Sequence, residues 1–360
     1  MRDEYCSPLV SGGMARLRDK AYRENIPLSA TYALNYQCNL HCNVCYLADA
    51  SRSVAPLPAV FWQKVADESA TLGCLHVLLT GGECVMHPEF SEIYLGIRRR
   101  GMLTTVFSNG TLFGDDGFTA RSKIMEVFAE APPSAVEVSV YGAGNATWEK
   151  VTGSPNGWDM CRRGVERLLD AGIKVRVKML LTDQTRHDLP LVKQWADRLG
   201  INFRFDPALF PAFDKSTAAV DHRVPAKDAV DVEFADEELC REWTEFHNHF
   251  SKIPDEGLLY DCGAGRTAFH IEPDGTMQPC LMVRSPSVDL QKISVTDGWH
   301  SISSEISRMR LPENSPCRGC EAKVLCGYCP GFFEIETGSS YEPPEYFCAL
   351  GKERLRRVGG

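Results

Sequence analysis

No apolar run in this 360-residue chain approaches the roughly 20 residues that a bilayer-spanning helix needs. Its first residues, MRDEYCSPLVSGGMARLRDK, lack the apolar centre of a secretion signal. Both absences lead to the expectation of a cytoplasmic protein with no membrane partner. A long basic run is also missing, and the net charge is −9. That balance excludes the usual nucleic-acid surface and serves solubility. Internal repeats are absent too.

Cysteine, by contrast, is plentiful. Fifteen cysteines, an odd number, sit in a chain too long to need disulfide staples. In a reducing compartment such thiols point to metal sites or catalysis. They are unevenly spread. Cys38, Cys42 and Cys45 share the stretch QCNLHCNVCY, and seven more lie between Cys262 and Cys348. Cys6, Cys74, Cys84, Cys161 and Cys240 are scattered and read by default as small buried hydrophobes, with Cys84, directly after Glu83, set apart as a candidate for a functional role.

From residue 30 to about 250 the pattern alternates. Strands are expected at 31–36, 75–79, 103–107, 135–140, 173–181 and 201–205. Helices are expected at 58–73, 88–101, 117–130, 157–170, 188–199 and 234–252. Six strand–helix units predict a parallel sheet with right-handed crossovers, an incomplete barrel with chemistry at the strands' C-terminal ends. The connection 206–232 reads as irregular. Beyond about 255 the one clear signal is a hairpin over 267–280, turning at Asp274–Gly275.

The first three cysteines directly follow strand one. Three thiolates on one loop can hold three irons of a cubane cluster and leave the fourth iron open. Zinc, held by three local cysteines and a distant ligand, is the alternative. Further motifs close successive strands: LTGGECVMHPEF after strand two, FSNGTL after strand three, SVYG at the end of strand four.

With these motifs in this order, residues 29–255 resemble the radical SAM enzymes. That family has a Cys-x3-Cys-x2-Cys loop after strand one, a Gly-Gly-Glu motif after strand two and a partial (β/α)6 barrel. The resemblance implies that Cys38, Cys42 and Cys45 ligate a 4Fe–4S cluster whose open iron takes S-adenosylmethionine. It implies that Gly81, Gly82 and Glu83, preceded by Thr80, receive the cofactor's amino group. Ser139 would contact its ribose or carboxylate, with Tyr46, Asn109 and Lys178 as further cofactor contacts. Where many relatives carry an Arg for the carboxylate, EKVTG has Thr152, and either Lys150 or Lys178 could supply the charge.

The tail resembles the SPASM domain of radical SAM maturases, although its middle block ends Cys-x2-Cys rather than Cys-x3-Cys. By that resemblance Cys262, Cys280 and Cys329 hold one auxiliary 4Fe–4S cluster, with Asp261 a possible fourth ligand. Cys317, Cys320, Cys326 and Cys348 hold a second. The expected division is 1–28 as an N-terminal extension, 29–254 as the radical SAM core and 255–360 as the auxiliary-cluster domain. Leu281 stands where sulfatase-maturing relatives place an Asp base.

The implied function is hydrogen abstraction from a ribosomally made precursor peptide, giving a crosslink, thioether, epimer or backbone rearrangement. Arg204 and Asp206, ending strand six, are candidate substrate contacts. About 28 residues before strand one leave no room for a fused leader-binding domain, so a separate recognition protein is expected. So is a flavodoxin- or ferredoxin-type electron donor. A sugar or aminocyclitol dehydrogenase or epimerase is the second reading, and a non-enzymatic zinc protein the third.

Overall fold

A computed structural model describes residues 13–47, 52–253 and 256–359. Cys6, much of the N-terminal extension and the expected boundary at 254/255 lie outside the described residues. The elements run α1 (Gly13–Glu24), β1 (Ser29–Asn35), α2 (Ala59–Thr71), β2 (His76–Gly81), α3 (Phe90–Arg99), β3 (Leu103–Ser108), α4 (Asp116–Ser122), α5 (Ile124–Glu130), β4 (Ala135–Val140), α6 (Asn145–Thr152), α7 (Gly157–Asp170), β5 (Val175–Leu180), α8 (Leu189–Leu199) and β6 (Asn202–Asp206). Then come α9 (Ala226–Phe234), α10 (Glu237–Phe250), β7 (Ala268–Ile271), β8 (Thr276–Gln278), β9 (Val288–Asp289), α11 (Val295–Ile306), α12 (Pro330–Thr337) and α13 (Glu345–Val358).

Strands β1 to β6 pair in parallel in sequence order. The expected helix over 117–130 is two helices. Lys123 adopts φ 52° between them, and Asp115 caps the first by accepting from Phe118 N. The expected irregular stretch 206–232 contains the start of α9.

The sheet has two distinct faces. Tyr32 on β1 meets Trp62 of α2, ring centroids 5.4 Å apart, and donates to Ser69 Oγ at 2.8 Å. Residues in register with Tyr32 therefore face the helices, and their neighbours face the concave interior. On the helix side Val136, Val138 and Val140 are buried with Trp148. The Trp148 indole N–H donates to Gly142 O at 2.9 Å. Burial of one such large side chain contributes about 2–3 kcal/mol. The interior face is polar: His76, Glu137, Ser139, Lys178 and Arg204 all lie on it.

The barrel stays open, because β6 ends the sheet and β1 turns to another partner. β7 from the cysteine-rich tail pairs in parallel with β1, Ser29 opposite Ala268 and Tyr32 opposite Ile271. β8 and β9 follow in antiparallel. The expected hairpin thus forms, with Gly275 at φ 87° in its turn, but it extends the core sheet. Three helices that the sequence reading did not expect, α11 to α13, complete the tail.

The tail is bolted back onto the core. Arg354 of α13 grips Glu233 of α9 through Nε–Oε2 at 2.8 Å and Nη2–Oε1 at 2.7 Å, both groups buried. Arg223 pairs with Glu336 of α12, and Phe210 stacks on Phe332 at 4.6 Å. Among the described residues no helix is long and apolar enough to cross a membrane.

Candidate active site

The loop after β1 is held from both sides. His41 N donates to Thr152 O at 3.0 Å and Asn43 N to Val151 O at 2.9 Å, tying it to the end of α6. Thr152 is buried and its hydroxyl is spent on Trp148 O, so the position supplies an anchor and no cation. On the other side Gly82 N donates to Asn35 O and Glu83 N to Gln37 O, both at 2.8 Å. A Cβ on Gly81 would lie 2.0 Å from Asn35 O, and one on Gly82 2.5 Å from Gln37 O. The glycine pair is therefore required for this crossing of two backbones.

Cys38, Cys42 and Cys45 lie together on this loop, close enough that each thiolate would feel the others. Burial first, and then the neighbouring thiols, push Cys42 up to about 12. Cys38 is pushed up to about 11 by burial and by Glu83. Thiols crowded this way keep their protons unless a cationic metal holds the charge. Asn109, at the end of β3, donates to Cys38 Sγ at 3.8 Å and to Asn39 Oδ1 at 2.9 Å.

Glu83 is fully buried. Its Oε2 accepts from Ser108 Oγ at 3.0 Å and Asn109 N at 2.8 Å. Its Oε1 has no hydrogen-bond partner. Burial pushes its carboxyl up to about 7. A buried acceptor without a donor is costly, so the site fits a ligand that brings an N–H. The ammonium of an amino acid is such a donor. The glycine cradle, the thiol triad and this orphaned oxygen together suit an iron–sulfur cluster carrying S-adenosylmethionine.

Further along the interior face, Ser139 stands opposite Lys178, and Lys178 opposite Arg204. Both cations reach Oε1 of Glu137, Lys178 at 3.3 Å and Arg204 at 2.6 Å. Burial alone would raise the Glu137 carboxyl, but the two cations outweigh it and hold it low. Glu137 escaped the sequence reading. Its signal was available: a carboxylate two residues before Ser139 in the apolar strand AVEVSV must share Ser139's face. Asp206 lies on the same face as Arg204, and its Oδ1 accepts from Ala208 N at 2.8 Å. Tyr46 hydrogen-bonds Thr80 and packs on Phe213, centroids 5.2 Å apart. Cys84 is fully buried and donates to Phe107 O, a packing role.

The seven tail thiols fall into two groups. Cys329 is raised by burial and then by Cys280 and Cys262. Cys326 is pushed up to about 12 by burial and then by Cys348, Cys317 and Cys320. A Cβ on Gly351 would sit 2.5 Å from Cys326 Cβ, so α13 approaches that loop closely enough to bring Cys348 to the group. Asp261 pairs with Lys323 at 3.5 Å. Among the described residues no three His, Cys, Asp or Glu side chains close on a point for one metal ion. A cubane offers its irons at separate corners, so its thiolates stand further apart than those around one zinc.

An open parallel barrel with a thiol triad after its first strand and an orphaned carboxylate after its second defines a cofactor-dependent enzyme of the iron–sulfur type. Residues 32–196 match the model of the Radical SAM superfamily. Residues 32–196 thus form a radical SAM domain.

Its curated relatives include the antilisterial bacteriocin subtilosin biosynthesis protein AlbA of Bacillus subtilis (strain 168), 26% identical over 92% of this chain and 73% of AlbA. The sporulation killing factor maturation protein SkfB of the same organism is 24% identical over 76% of this chain and 64% of SkfB. A PqqA peptide cyclase of Methylobacterium sp. (strain 4-46) is 24% identical over 82% of this chain and 79% of that protein. Among solved structures, Streptococcus suis SuiB bound to precursor peptide SuiA superposes with a TM-score of 0.69, at 16% identity, over 97% of this chain and 84% of SuiB. Native anSMEcpe with bound AdoMet superposes with a TM-score of 0.67, at 16% identity, over 92% of this chain and 97% of that one.

Proposed function

We propose that this chain is a peptide-modifying radical SAM enzyme with a SPASM-type tail. The alignment with AlbA carries the reading: it runs over 92% of the chain, through both cysteine regions, to a protein named for bacteriocin biosynthesis. The division into a core and a cysteine-rich auxiliary domain near residue 255 belongs to the same proposal.

When bound, a 4Fe–4S cluster with S-adenosylmethionine supplies one-electron cleavage of the sulfonium and a radical that takes hydrogen from an unactivated carbon. Cys38, Cys42 and Cys45 would hold that cluster, and Asn109 tempers the charge on the Cys38 sulfur through its amide N–H. Glu83 Oε1 would accept from the cofactor's ammonium. Lys178, with Ser139 beside it, would face the cofactor carboxylate, while Glu137 fixes the Lys178 and Arg204 heads. Arg204, level with Lys178, and Asp206, at the C-terminal end of β6, would face the substrate. Tyr46, Phe210 and Phe213 wall the mouth and keep water out. Cys262, Cys280 and Cys329 would hold one auxiliary cluster and Cys317, Cys320, Cys326 and Cys348 the other. A leader-binding protein and a flavodoxin- or ferredoxin-type donor complete the system.

The test uses protein reconstituted without oxygen, reductant, S-adenosylmethionine and the peptides encoded beside its gene. A peptide changed in mass, with 5′-deoxyadenosine formed, is expected. Cofactor cleavage with every such peptide unchanged would falsify the peptide reading. Iron analysis should give about twelve irons per chain, from three cubanes. A count of about eight would favour a one-cluster tail and a small-molecule substrate.

A further inference from the structure

The interior face of β7 carries polar groups that the proposed chemistry leaves unused. His270 stands opposite Thr31 on the concave side and is fully buried. Neither of its ring nitrogens has a hydrogen bond. The nearest carboxylate oxygen, Glu272 Oε1, is 3.6 Å from Nε2. Glu272, just past the strand, is buried as well. Its Oε1 accepts from Gln278 Nε2 at 3.0 Å and Arg284 Nη1 at 2.8 Å, while its Oε2 has no partner. Arg284 closes the group from outside. Its guanidinium lies 4.4 Å from the Phe213 ring centroid, and Phe213 packs on Tyr46, next to Cys45. Its side chain is 42% exposed, and among the described residues Nη1 makes its one hydrogen bond.

These residues form a buried polar cluster on the interior face of β7, with Arg284 at its exposed edge. Three buried polar atoms, Nδ1 and Nε2 of His270 and Oε2 of Glu272, have no hydrogen bond there. Each costs about 1–3 kcal/mol until something fills it. Glu272 is paired with Arg284, and burial nevertheless raises its carboxyl. Burial, and then the nearby Arg284, hold the imidazole neutral. A ligand bringing net charge into so desolvated a place would be penalised. The missing partner is therefore neutral, with both donors and an acceptor.

The geometry points to the His270–Glu272–Arg284 cluster as a substrate subsite for a primary carboxamide, the side chain of an Asn or Gln in the modified peptide. Its NH2 donates to Glu272 Oε2 and to the unprotonated ring nitrogen of His270, which leaves the imidazole N–H as the one atom of the three still unpartnered. Its carbonyl accepts from a free N–H of Arg284, which swings on the Phe213 ring to admit it. This inference rests on the peptide reading above and deepens it by naming a residue class near the reacting position.

The probe is a random short-peptide library, offered with S-adenosylmethionine to the anaerobically reconstituted full chain. Wild type is compared with Glu272→Gln, Glu272→Ala and His270→Phe, each checked for an unchanged melting temperature and iron content. Peptides retained by the wild type should be enriched in Asn or Gln at one position. That enrichment should fall about tenfold in Glu272→Ala, as expected for one lost hydrogen bond to a charged group. Total peptide capture should hold. Should one variant misfold, the remaining two carry the comparison. Peptide capture without an Asn or Gln preference, or with a preference the variants leave untouched, overturns the subsite and spares the peptide reading. Wild-type protein that captures no peptide overturns both. A crystal structure with ordered waters bonded to His270 and Glu272, retained when peptide binds, also overturns it.

Discussion

The two cysteine regions reach similar chemistry by opposite routes. Cys38, Cys42 and Cys45 lie on one short loop, clamped by backbone hydrogen bonds to β2 and α6. Of the tail thiols, Cys317, Cys320, Cys326 and Cys329 share one stretch, while Cys262, Cys280 and Cys348 come from distant segments and reach it through packing, as where Gly351 lets α13 touch Cys326. A local loop can keep its shape without metal; a set gathered from afar needs cross-links, and bound metal supplies them.

Removing a ligand on each side separates the two. Cys42→Ala should abolish 5′-deoxyadenosine formation, with the fold intact by circular dichroism. Cys326→Ala should lose about four irons per chain and lower the melting temperature, while the barrel's hydrogen-exchange protection persists. Equal destabilisation by both would erase the distinction. Stripping all metal with a chelator should loosen α12 and α13 before any core strand, as read by limited proteolysis.

A smaller effect tests the bolt between the regions. Arg354→Ala leaves Glu233 buried and unpaired, and should cost about 3–5 kcal/mol of unfolding free energy in denaturant titrations. A loss below about 1 kcal/mol would mean that the tail docks by apolar packing alone.

The smallest effect concerns Glu83 in metal-free protein. Its folded carboxyl sits at about 7 against an ordinary 4.5. The folded state therefore binds the proton more tightly than the unfolded state. Relative to Glu83→Gln, the wild type should lose stability as pH rises from about 4.5 to about 7, then level off. The expected difference is on the order of 3 kcal/mol in urea midpoints converted to free energy. A pH-independent difference would place a donor on Oε1 in the metal-free state.

The same contrast explains what could be read from the sequence. The core strands are apolar runs of standard length between turn signals, and each lies within a residue or two of its expected place. The cluster loop and Gly-Gly-Glu are contiguous motifs, so their grouping was legible. The tail's helices were hidden by Cys, Gly and Pro. Yet α11 carried a signature: Ser294 caps Asp297 N at 3.0 Å, and Val295, Trp299, Ile302 and Ile306 recur at helical spacing. Glu137, His270 and Glu272 were missed for another reason. A charge or imidazole in a short strand looks solvent-facing until the register shows that its face is the barrel's interior. The glycine pair at 81–82 was read as a ligand cradle, and its local cause, the crossing of Asn35 and Gln37, needed coordinates.

The pairing of β1 with β7 has a consequence for synthesis of the chain. The first strand's second neighbour is made about 240 residues later, with Ser29 opposite Ala268. At about 5–20 residues per second, that edge of β1 stays bare on the ribosome for roughly 10–50 seconds. Its neighbours Tyr32 and Leu34 are apolar and, once folded, wholly covered. The nascent protein is thus open to wrong strand partners until its last third emerges, so lowering expression temperature or raising chaperone supply should increase the soluble yield.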